Sequence, residues 1–171
     1  LHYHLPYPIE QIDRPRVTET KRLEIGFRTI DAGPPARYQF IEQESLMLTG
    51  DENIVDAQII VQYRIKDPYN YLFKVRDNRM LLTDMSEAAM RLVVGDRSIN
   101  EVISKREELA IKAKELLQRY LDEAETGIQL VTVEMKRTNV PEPVQPSFNE
   151  VNQAVQEKER LIYQAKEAYN K

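Results

Sequence analysis

Between Lys21 and Arg28 apolar and polar residues alternate, with Leu23, Ile25 and Phe27 on one face and Arg22 and Glu24 on the other. That period predicts a strand, and Gly26 leaves its polar face bare. Thr29 to Arg37, which contains Gly33-Pro34-Pro35, reads as a surface loop. Leu46 and Leu48 alternate into Gly50-Asp51-Glu52-Asn53, a run with turn chemistry. Ile54 to Ile65 then forms the longest alternating run. Val55, Ala57, Ile59, Val61, Tyr63 and Ile65 share one face, and Asp56, Gln58, Gln62 and Arg64 share a wetter one interrupted by Ile60. A last strand spans Ile128 to Arg137, with Val131, Val133 and Met135 on one face and Ile128 and Leu130 starting the other. Leu1 to Val17, broken by Pro6, Pro8 and Pro15, reads as extended edge or connecting chain.

The period changes after Asp67-Pro68, where an Asp cap and a Pro in the first turn start a short helix, Tyr69 to Phe73. Asn78 can cap a second helix, Arg79 to Val94, whose predicted buried stripe is Met85, Ala88, Ala89 and Leu92, with Gly95 at a left-handed terminus. Ser98 and Glu101 have capping-box spacing, repeated at Ser104 and Glu107. A longer helix follows from about Lys105 to Thr126, ending at Gly127. Leu109, Ala113, Leu116, Leu117, Tyr120, Leu121 and Ala124 line one side, and Glu101–Lys105, Glu108–Lys112 and Glu115–Arg119 are spaced for ion pairs. Strands, then helices, a strand and a helix predict an α+β fold: a mostly antiparallel sheet with helices on one face.

Pro141, Pro143 and Pro146 end the globular pattern, so the chain divides into 1–140 and a helical segment 141–171 starting near Pro146. Along that helix Phe148, Val151, Val155, Ile162, Ala165 and Tyr169 recur in steps of three, four or seven, with Lys158 at the remaining core step. This is a coiled-coil seam with no globular partner left in the sequence, and an assembly surface is the reading it favours. Folding back onto its own domain is the alternative. The helix has no Gly or Pro terminator and the sequence has no initiator Met, so a longer protein is expected around it.

Composition narrows the chemistry. A net charge of −4 argues against a nucleic-acid footprint. The absence of cysteine removes disulfides, thiolate metal sites and a cysteine nucleophile. His2 and His4 are the only histidines, and no third ligand stands near them. Gly50–Asn53 lacks the ligand spacing of a calcium loop and reads as a turn. No serine sits in GxSxG, and a Ser104–Lys105 dyad is the one hydrolytic arrangement left to weigh. Catalytic, cofactor and metal residues are therefore assigned to none. Tyr63, Tyr69, Tyr71 and Phe73 form an aromatic cluster that reads as core packing or, more sharply, as a secondary subunit contact.

Two stretches carry a family likeness: Leu46-Met-Leu-Thr-Gly-Asp-Glu-Asn-Ile-Val55, and Gln62-Tyr-Arg-Ile-Lys-Asp-Pro-Tyr-Asn-Tyr-Leu-Phe73. They resemble the SPFH (band 7, prohibitin-homology) domain, most closely its HflK branch. Leu1–Pro8, Gly127–Leu130 and Pro141–Val144 are similar to further segments of that family. The resemblance implies a non-enzymatic scaffold, held in the membrane by an N-terminal helix outside this sequence, with the domain on the extracytoplasmic side. It also implies homo-oligomers, an HflC-type partner subunit, coiled-coil assembly and modulation of an FtsH-type AAA protease. Stomatin- and flotillin-like relatives suggest the rival reading, a lipid-binding module organising membrane microdomains. In that case Tyr3, Leu5, Tyr7 and Ile9 within Leu1–Ile12 would meet the bilayer.

Overall fold

The computed structural model describes residues 14–31 and 33–169. In chain order these form β1 (Lys21–Ile25), β2 (Phe27–Asp31), β3 (Arg37–Phe40), α1 (Glu42–Ser45), β4 (Leu46–Leu48), β5 (Ile54–Ile65), α2 (Pro68–Phe73), α3 (Asn78–Gly95), α4 (Ile99–Ser104), α5 (Arg106–Glu123), β6 (Ile128–Asn139), a 3-10 turn (Glu142–Val144) and α6 (Gln145–Tyr169).

β5 is the spine. It pairs antiparallel with β6 along one edge, and with β4 and β1 in succession along the other. Val55, Ala57, Ile59, Val61, Tyr63 and Ile65 are all buried on one face, as their alternation requires. Leu82, Ala89, Met90 and Val94 of α3 and Leu109, Ala113, Leu117 and Leu121 of α5 join Val55, Ala57, Ile59, Val61 and Tyr63 in one core. The α+β architecture read from the sequence is the one observed. The polar face of β5 is drier than its composition suggests, because Gln58 and Ile60 are only 5% and 6% exposed.

Several details depart from the simple periods. β6 carries two bulges: Leu130 and Thr132 oppose consecutive residues of β5, as do Met135 and Arg137, so Val131 and Lys136 are extra. Each bulge resets the alternation. Ile128, Leu130, Val133 and Met135 therefore all reach the core, whereas Val131, expected beside Val133, is exposed. The run starting at Lys21 is two strands, not one. Gly26, at φ +82°, turns the chain out of the main sheet, and a Cβ there would lie 2.8 Å from Ser45 Cβ. Beyond it β2 pairs with β3, so the loop expected over Thr29–Arg37 is largely a hairpin. Glu44 fixes this hairpin with two hydrogen bonds from the Arg28 guanidinium, at 2.8 and 2.9 Å, and one from the Gly26 amide at 3.0 Å.

On α3 the buried stripe is Leu82, Ser86, Ala89, Met90 and Val94; Ala88 and Leu92 face outward. Asp77, one residue before the expected cap, accepts hydrogen bonds from the Arg79 and Met80 amides. Gly95 ends the helix without a positive φ. The Ser98–Glu101 capping box forms, but the repeat at Ser104 does not, and Lys105 precedes α5 without a side-chain cap. Glu101–Lys105 and Glu108–Lys112 pair as spaced. Glu115–Arg119 does not close among the described residues.

Candidate assembly surfaces

α6 is a 25-residue helix with Pro146 in its first turn and no internal Gly or Pro. It spans about 37 Å at 1.5 Å per residue, and none of its residues is buried. Along the predicted seam Phe148 is half-buried. Val151, Val155, Ile162 and Tyr169 are between 44% and 91% exposed, and Lys158 and Ala165 are also exposed. The structure thus lines up all seven predicted positions on one helix and leaves all but the half-buried Phe148 exposed. Leu161, absent from the sequence-derived seam, is exposed beside Ile162 and widens the stripe. Its signal was there in the sequence: an apolar residue one step from a core position borders the same face. Covering one such aliphatic side chain is worth about 1.5–3 kcal/mol.

The aromatic cluster does not come together as one surface. Tyr63 sits in the core of β5, and burial, with Tyr71 beside it, pushes its phenol above the ordinary range. Tyr71 is half-buried, with the Lys21 ammonium 3.4 Å from its hydroxyl and 5.1 Å from its ring centroid. Only Tyr69 and Phe73 present a surface: they are 66% and 70% exposed, with ring centroids 5.3 Å apart. α2 displays this pair because Asp67 accepts hydrogen bonds from the Tyr69 and Asn70 amides at 2.9 and 3.2 Å. Gly127, at φ +69°, lies against the same cap, where a Cβ would meet the Asp67 carbonyl at 2.3 Å.

The remaining candidates are engaged in structure. Asp51 accepts from the Thr49 hydroxyl at 2.5 Å and from the Ile99 amide at 3.1 and 3.2 Å, fastening the β4–β5 turn to the start of α4. The Thr49 bond, with help from Ile99 and Asn53, holds its carboxyl below the usual aspartate range against the opposing effect of burial. Ser104 donates to the Asn100 carbonyl at 2.7 Å, and Lys105 donates to Glu101 at 3.1 Å, so the two side chains are not aimed at each other. Gln118 of α5, unremarked in the sequence, donates to the Ile128 carbonyl and accepts from the Leu130 amide, closing part of the outer edge of β6. His2, His4 and the Leu1–Ile12 segment lie outside the described residues. No helix of the described residues is long and apolar enough to cross a membrane.

Comparison with known proteins agrees with this architecture. The model of the SPFH domain / Band 7 family matches residues 1–168. The chain is 37% identical to Protein HflK of Treponema pallidum over its whole length and 53% of that relative. It is 35% identical to Protein HflK of Vibrio cholerae over 83% of this chain and 37% of the relative. It is 27% identical to the Escherichia coli protein named Modulator of FtsH protease HflK, over 82% of this chain and 34% of the relative. The chain therefore spans about half or less of the length of these relatives. Matched by the family model along almost its entire length, the chain belongs to the SPFH domain / Band 7 family.

Proposed function

We propose that this chain is the scaffold module of an HflK-type membrane assembly and acts without catalysis of its own. Residues 1–140 form the packing body and 141–171 begin a coiled-coil arm. Copies associate with one another and with an HflC-type subunit, and the assembly modulates an FtsH-type protease, as the name of the Escherichia coli relative states for that protein. In the full-length protein an N-terminal helix holds the module at the membrane, with the domain on the extracytoplasmic side. The observation that carries the reading is α6, a regular apolar seam on a helix with no buried residue. A helix with this stripe gains little from its own body and much from a neighbouring helix. Many modest contacts of this kind become strong when multiplied around an assembly. Tyr69 and Phe73 provide a smaller second contact.

The test is the mass of the full-length protein in mild detergent, with Val155→Asp and Ile162→Asp introduced together. The proposal expects a large wild-type assembly and its collapse to small species in the double variant. Unchanged mass would remove α6 from the assembly surface.

A further inference from the structure

Resting on the seam reading of α6, we infer that Lys158 selects the partner helix: the seam fits a different helix with an Asp or Glu at the matching core layer better than an in-register second copy. The observation is the company Lys158 keeps. On a helix the side chains within reach lie three and four residues away. Before Lys158 these are Ala154 and Val155, and after it Leu161 and Ile162. None can pair with an ammonium. Glu157, its direct neighbour, turns to Arg160 at 2.9 Å. A carboxylate for Lys158 must therefore come from outside its own stretch of α6.

Phe148, Val151, Val155, Lys158, Ile162, Ala165 and Tyr169 step alternately by three and four, which places Lys158 and Ala165 at equivalent core positions. A parallel, in-register second copy would set ammonium against ammonium in a layer walled by Val155 and Ile162. The nearest carboxylate that copy could offer is Glu159, one residue off the core line, so the charge would have to leave the layer to reach it. An opposing Asp or Glu would neutralise the layer in place. A buried charge that penalises the wrong pairing more than the right one confers specificity at a cost in stability.

The experiment uses full-length protein in mild detergent carrying Ala165→Cys, one heptad beyond Lys158 in a region without native cysteine. Disulfide formation between differently tagged copies then reports seam-to-seam pairing. Homotypic cross-linking should be weak with Lys158 in place and at least about tenfold stronger with Lys158→Leu. Copies with Lys158 mixed with copies carrying Lys158→Glu should cross-link better than either does with itself. Homotypic cross-linking as efficient as that of Lys158→Leu would overturn the inference. So would mixed pairs no better than self pairs, or a homotypic pair that forms readily and is lost on Glu159→Gln. Absence of cross-linking in every pairing would instead sink the seam reading of α6, and the role of Lys158 with it.

Discussion

β5 and α6 are two long elements with regular apolar periods and opposite fates. In β5 every second residue from Val55 to Ile65 is buried, and those from Val55 to Tyr63 share a core with helices of the same chain. In α6 seven core positions, six of them apolar and the seventh Lys158, recur as faithfully and none is buried. Period predicts which face wants covering. The order of elements along the chain decides whether the cover comes from within: α3 and α5 follow β5 and can fold over it, whereas α6 follows the last strand of the sheet. If α6 is the assembly surface proposed above, stability and assembly are carried by separate regions, and substitutions should separate them.

The largest effect expected is on assembly. Val155→Asp with Ile162→Asp should abolish the large species while leaving the unfolding free energy of the body within about 0.5 kcal/mol, because both sites are exposed. Sedimentation and thermal unfolding read the two halves of that statement. Leu117→Ala should do the reverse. It removes a buried side chain from between α5 and the sheet and should cost roughly 2–5 kcal/mol in denaturant unfolding, without weakening seam contacts in the fraction that remains folded. Gly26→Ala should cost about 1–3 kcal/mol, because it combines a left-handed φ with a 2.8 Å approach to Ser45 Cβ.

The smallest effect is a pH dependence. The Asp51 carboxyl titrates below its unfolded value, so the stability it adds is present above the ordinary aspartate pKa of about 3.9 and is lost as pH falls through the lower folded value. The difference in Tm between wild type and Asp51→Asn should be constant near neutrality and shrink once the pH drops below about 4. A difference that grows on acidification would show that Asp51 does not fasten the β4–β5 turn as its carboxylate.

Local signals were the legible ones. The Asp67 cap, the Ser98–Glu101 box, the β5 alternation and the helix of α6 depend only on neighbours in sequence, and all form as read. What the period could not show was where it would be reset. The bulges at Val131 and Lys136 arise from pairing with β5, and nothing in Ile128–Asn139 alone marks them. Gly26 looked like a gap in a strand, yet its positive φ divides two sheets. Gly33-Pro34-Pro35 marked a turn correctly but drew too much flanking sequence into the loop. On α3, Leu92 obeys the helical period and still faces outward, because the body covers a stripe centred on Leu82, Met90 and Val94. The four aromatics near Asp67 are close in sequence, but strand and helix send them to different environments, so only Tyr69 and Phe73 survive as a candidate surface.

On the proposed function, the seam of α6 is covered by another chain. Amide hydrogen exchange across residues 148–169 of the full-length protein in mild detergent tests it most directly. Packing should slow exchange in the seam by orders of magnitude relative to a solitary helix, towards the protection of β5. Exchange in α6 as fast as in a free helix, with β5 fully protected in the same sample, would contradict it.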